Sequence, residues 1–170
     1  MRKVISDRMS ESKKDIPHIN LRIKVNAANM IRIREQIKEK SKNGLVVPTI
    51  FKCNELSLSG IAKKRNELVL KAREGRLSLN EIINGTFTIT NLGMYGIRSS
   101  TPIINPPQSS IVAIGEIYSE PAILENEISI GSFLEITLAS DHRVIDGEIA
   151  ALFLKSLKEK IENPLNLIVG

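Results

Sequence analysis

His142, near the end of the chain, has the side-chain type that proton transfer needs, and Asp146 stands four residues beyond it. Imidazole has the unperturbed pKa nearest neutrality, so His142 can take up a proton as a general base and hand it back. A hydrogen-bonded structural histidine is the competing reading. Asp146 has an ordinary competitor as well: it fits the N-cap of a following helix, with Glu148 in the first turn. Cys53 is the only cysteine. It can form no internal disulfide, lacks a neighbouring histidine to activate it, and reads as packing. Two histidines and one cysteine, widely spaced, make a poor metal site, so no metal is expected.

The elements that must hold these residues are legible around them. Phe133 to Ser140 alternates, with Leu134, Ile136 and Leu138 on one face of a strand. Beyond the histidine, Ile149, Phe153, Leu157 and Ile161 recur at helical spacing, helped by Ala150 and Leu154, until Asn163-Pro164 stops the helix. His142 therefore sits where a strand ends and a helix is about to begin.

Upstream, residues 2–13 read as a helix with Val4, Ile5 and Met9 inward. Ile19, Leu21, Ile23 and Val25 alternate with polar residues as a strand. Asn26 fits the N-cap of a helix with Met30, Ile33 and Ile37 as its stripe. Leu45 to Ile50 reads as an edge strand because of Pro48. Ser57 can cap a helix through about residue 74, with Leu58, Ile61, Leu68 and Ala72 inward and Gly75 as its stop. Gly85 to Thr90 reads as a strand, followed by a loop in which Gly93 and Gly96 suggest turns with positive φ. Pro102 to Pro107 reads as an ordered connector and Ile111 to Tyr118 as a strand. Pro121–Leu124 and Ile128–Ile130 flank a hairpin turn.

At 170 residues, 42% hydrophobic and 25% charged, the chain suits a single globular domain, 1–170. A net charge of +5 fits a polyphosphate ligand or a solvated basic face. Four Phe, two Tyr and no Trp supply no stacking platform for nucleic acid. No apolar run reaches membrane length, and no signal-peptide core or other targeting signal opens the chain. A reducing cytoplasmic or mitochondrial-matrix setting is compatible with these features.

The motif Asp141-His142-Arg143-Val144-Ile145-Asp146-Gly147 resembles the active-site signature of the dihydrolipoamide acyltransferases, the E2 core components of 2-oxoacid dehydrogenase complexes. Further matches follow the family order. They are Arg2 to Met9, Ile16-Pro17-His18, Gly85 to Gly96, and Thr101 to Gln108. The resemblance covers nearly the whole chain. It implies an α/β (α+β) chloramphenicol-acetyltransferase-like two-layer sandwich, a mixed sheet with helices on one side, trimeric. It implies acyl transfer between a dihydrolipoyl thioester and coenzyme A, with His142 as base and the Thr90 hydroxyl, where the family has serine, as the oxyanion donor. His142 and Thr90 would come from different chains. Asp146 would order the loop, in one arrangement by pairing with Arg8. His18 reads as structural. Ser57 and Gly93 match positions near coenzyme A, although Leu56 and Gly60 depart from the family and remove a basic contact and a capping box.

The resemblance also implies partners: a homotrimer building a cubic or icosahedral core through the tail Pro164 to Gly170, and the E1 and E3 components, reached through upstream domains. The lipoyl group would ride on a domain not present in this chain, which also lacks a peripheral-subunit-binding domain. One family segment, between residues 43 and 44, is missing. The alternatives are an E2-like scaffold that only oligomerises, and a stand-alone acetyltransferase of the chloramphenicol type. That type has a second histidine where this chain has Asp141.

Overall fold

The alternation of Ile19, Leu21, Ile23 and Val25 with His18, Asn20, Arg22 and Lys24 makes β1, His18–Asn26, which follows helix α1, Arg2–Asp15. The structure is a computed structural model that describes residues 2–28, 47–124 and 126–164, the side chains of 2–5 and 124 excepted. The expected stripe of Met30, Ile33 and Ile37, the junction at 43–44, and the tail beyond Pro164 lie outside the described residues, as do the side chains of Val4 and Ile5. Two compact units are present: Met1–Ile37 with Phe87–Gly170, and Lys38–Thr86.

The first unit is built on one long strand, β5, Glu127–Asp141. The sheet also holds β2, Thr88–Asn91, β3, Ser110–Ile114, and β4, Tyr118–Leu124. The sheet order is β1-β5-β3-β2, with β4 paired to the first half of β5. β2 and β3 are parallel and the other pairs antiparallel, so the sheet is mixed. Leu134, Ile136 and Leu138 point to one face with Val25 and Val112. Against them packs helix α4, Gly147–Glu162. Ile16, Ile104, Ile111 and Ala139 make a second cluster. By register, Ile111 and Ala139 belong to the opposite face.

Several expectations need correction. The inward stripe of α4 is Ala150, Leu154, Leu157 and Ile161, whereas Ile149 and Phe153 remain 54% and 42% exposed. Spacings of four and three keep one face at 3.6 residues per turn; repeated fours drift off it. Residues 47–50 form no strand: Thr49 N–H donates to the Glu81 carbonyl at 2.7 Å, with no ladder. Gly85 to Phe87 precede β2. The run Ile111 to Tyr118 splits at Gly115. Glu116 N–H donates to Ile97 O at 2.9 Å, so the 93–98 loop crosses there and interrupts the ladder. The arm Ile128–Ile130 continues through Gly131 into the alternating segment as one strand, because pairing with β4 persists to Phe133.

In the second unit, α2, Leu58–Arg73, starts at Ser57, whose Oγ accepts from Gly60 N–H at 3.1 Å. The cap therefore works without a capping box. Gly75, at φ +68°, ends the helix in the left-handed region. Glu81 in α3, Asn80–Ile83, accepts from Lys71 Nζ at 2.7 Å and from the Ser78 backbone and hydroxyl at 2.9 and 3.0 Å. Lys71 foremost, then Ser78, holds its carboxyl at about 2. A carboxyl depressed in the folded state stabilises above its ordinary pKa and loses that contribution as pH falls toward its folded value. Melting temperatures of the wild type and Glu81→Gln should therefore differ most at neutral pH and converge as pH falls from the carboxylate range toward about 2. An unchanged gap across that range would contradict this.

Candidate active site

His142 leaves the sheet at the tip of β5. Its backbone N–H donates to Pro17 O at 2.9 Å, so the strand end is tied to the segment before β1. Its imidazole is exposed and makes no hydrogen bond among the described residues.

The neighbour Asp141 is 6% exposed and fixed at every polar atom. Its N–H donates to Ser109 O at 2.9 Å, and its carbonyl accepts from Val144 and Ile145 at 3.1 and 3.0 Å. Oδ1 accepts from the Arg143 backbone N–H at 3.0 Å and from Nε at 2.9 Å. Oδ2 accepts from Nε at 3.1 Å and from Nη2 at 2.7 Å. The hydrogen bond from the Arg143 side chain, opposed by burial, holds the Asp141 carboxyl below the usual range; the same pairing raises Arg143. Sequence reading placed Asp141 in the motif without assigning this pairing. Its signal was an Asp and an Arg at i and i+2 around a strand end.

Asp146 is the N-cap of α4: its Oδ1 accepts from Ile149 N–H at 2.9 Å. No hydrogen bond or ion pair joins it to Arg8 among the described residues. The imidazole of His18 is saturated. Nδ1 donates to Ile16 O at 2.7 Å, and Nε2 accepts from Ile104 N–H at 3.2 Å. Nε2 ties the connector to β1 and Nδ1 holds the segment before the strand, leaving neither nitrogen for proton transfer.

Thr90 lies on the edge strand β2, half-buried, opposite Ala113 of β3, which is opposite Thr137 of β5. Two strand spacings, about 10 Å, separate Thr90 from β5. Asp141 lies four residues further along, about 13 Å. Within one subunit, Thr90 and His142 are thus not neighbours. Ser57 belongs to the other unit, where its hydroxyl is the α2 cap.

Gly93 has a reason other than positive φ: a Cβ there would meet Gly115 O at 2.4 Å. Only Gly96 of this loop, at φ +76°, needs the left-handed region. The loop after Thr90 is thus seated by backbone against backbone.

The mixed sheet with α4 on one face, and a motif histidine at the tip of its central strand, define a chloramphenicol-acetyltransferase-like domain. The model of the 2-oxoacid dehydrogenases acyltransferase (catalytic domain) family matches residues 1–43 and 40–169, and the chain belongs to that family. The chain is 30% identical over 220 residues to the dihydrolipoyllysine-residue acetyltransferase component of the pyruvate dehydrogenase complex of Rickettsia felis, covering 99% of this chain and 53% of that one. It is 42% identical over 129 residues to the succinyltransferase component of the 2-oxoglutarate dehydrogenase complex of Cupriavidus necator, covering 76% and 31%. A crystal structure of a probable dihydrolipoamide acetyltransferase from Listeria monocytogenes superposes with a TM-score of 0.89 at 28% identity, covering 95% and 91%. The chain spans about half the length, or less, of the curated relatives it matches.

Gly93→Ala should destabilise the fold more than Gly96→Ala. The second meets only left-handed strain, about 1–2 kcal/mol. The first forces the loop off the backbone of Gly115 and Glu116. Urea denaturation of both variants decides; equal losses would show that the close approach is not what requires Gly93.

Proposed function

We propose that this chain is the acyltransferase core of a 2-oxoacid dehydrogenase complex, moving an acyl group between a dihydrolipoyl thioester and coenzyme A. The observation that carries the reading is His142, exposed on a fixed strand tip with its imidazole unbonded among the described residues. A thiol is mostly protonated at neutral pH and attacks poorly until deprotonated. His142 takes the proton of the attacking thiol. The resulting thiolate adds to the thioester carbonyl. The Thr90 hydroxyl donates to the oxyanion. The intermediate collapses by breaking the other C–S bond, and His142 returns the proton to the departing sulfur. Asp146 fixes the start of α4 and so the far end of the His142 turn.

The register separation of Thr90 from His142 supports a site completed by a second copy, with His142 from one subunit and Thr90 from its neighbour in a homotrimer. Exposed apolar surface supports such an assembly. Ile123, Ile128 and Ile130 on the β4–β5 hairpin are 74%, 84% and 79% exposed. Exposed apolar patches of this kind mark interfaces. Higher assembly into a cubic or icosahedral core, and engagement of E1 and E3 with a lipoyl group carried on another domain, extend the same reading. Ser57 and Gly93, each in its own unit, remain candidates for contact with coenzyme A.

We also propose that a family segment is missing internally. The family matches in two pieces that meet at residues 40–43, and the Rickettsia alignment runs over 220 residues although this chain has 170. The second reading, a scaffold that assembles without catalysis, rests on the same observation.

His142→Ala should lose about 10²–10⁴-fold in transfer from acetyl coenzyme A to dihydrolipoamide, with assembly intact. Thr90→Ser should stay active, and Thr90→Val should lose about 10²–10³-fold. Steady-state assays check both. Transfer retained in His142→Ala would end the base assignment, and tolerance of Val would end the oxyanion assignment. A wild-type protein that assembles but transfers nothing would leave the scaffold reading.

A further inference from the structure

We propose that Arg143 is a positioning residue, whose clasp on Asp141 holds the His142 main chain in the turn that presents the imidazole. This rests on the acyltransferase reading of His142 and adds a residue to it.

The geometry is a chelate formed across the histidine. Arg143 offers its backbone N–H, Nε and Nη2, and Asp141 receives them on both carboxylate oxygens at 2.7–3.1 Å. With the first and third residues of a three-residue run clasped side chain to side chain, the middle side chain is turned away from the pair. Asp141 cannot yield, because its own backbone is tied to Ser109, Val144 and Ile145. The Arg143 side chain is 56% exposed while that of Asp141 is 9% exposed, so the clasp closes from the solvent side onto a buried anchor. Other ionisable groups flank it: His18 opposite Asp141 in the β1 register, and Asp15 at the end of α1. A bidentate guanidinium fixes orientation as well as charge, which a lysine ammonium does not.

A general base must lie within hydrogen-bond reach of the proton it takes, and a displacement of about 1 Å can cost on the order of 10²-fold. An exposed arginine beside a reactive histidine has an obvious rival role, contact with a phosphate of coenzyme A. The two separate in kinetics. Loss of positioning lowers kcat and leaves KM for coenzyme A near the wild-type value. Loss of a phosphate contact raises KM, and lysine restores it.

Arg143→Ala should therefore lose on the order of 10²-fold in kcat with little change in KM. Arg143→Lys should fail to restore it, and added guanidinium ion should restore part of it in Arg143→Ala. Wild-type kcat in Arg143→Ala, or a raised KM recovered by Arg143→Lys, overturns the proposal. A second readout does not depend on activity. Amide hydrogen exchange at His142, Val144 and Ile145 should speed at least tenfold in Arg143→Ala while Leu138, inside β5, stays protected. Unchanged exchange at the three turn amides also overturns it. If His142→Ala keeps its activity, the base assignment of His142 falls, and the exchange experiment still decides whether the clasp holds the turn.

Discussion

Asp141 has no uncommitted polar atom, and the chemistry assigned to this chain hangs on that fact. Its burial requires that both carboxylate oxygens be satisfied, since an unpaired buried charge is costly. Arg143 satisfies them from two residues away, and the main chain between them is left one way to turn. The same residue closes β5 through Ser109 and opens the turn toward α4 through Val144 and Ile145. Asp146 then caps α4. Strand tip and turn thus meet in Asp141, through its backbone and its buried carboxylate, and the helix start is set by the carboxylate of Asp146. His142 is the residue they leave pointing outward.

The sheet behind this turn is organised for the same end. β5 pairs with β1, β3 and β4, so its tip is fixed relative to most of the first unit. Pro17 holds His142 by its backbone, and His18, the next residue, spends both ring nitrogens on the chain at Ile16 and Ile104. One histidine is consumed in holding the strand tip, and the other is the one proposed as the base. Their positions in the register are nearly adjacent, and their hydrogen bonding alone separates the two roles.

Much of this was legible in the sequence. Period-two alternation marked β1 and β5, and capping chemistry marked Ser57 and Asp146, because these signals are local. The family order of motifs gave the fold. What was misread depended on partners distant in sequence. The phase of α4 is set by which face meets the sheet. The break at Gly115 is set by the 93–98 loop crossing the strand. Residues 47–50 look like a strand by composition, yet pair with no strand among the described residues. The clasp of Arg143 on Asp141 was in plain view and unassigned, since i, i+2 charge pairs are ordinary until burial shows that one member cannot reach water.

In the proposed mechanism one subunit supplies His142 and another supplies Thr90. Mixing and reassembling His142→Ala and Thr90→Val subunits tests it most directly. Each protein alone should be nearly inactive. In a cyclic trimer of both kinds, one site of the three draws its histidine and its threonine from intact sources. Random equal mixing should then restore about a quarter of wild-type transfer. A mixture as inactive as its parents would contradict a site shared between subunits.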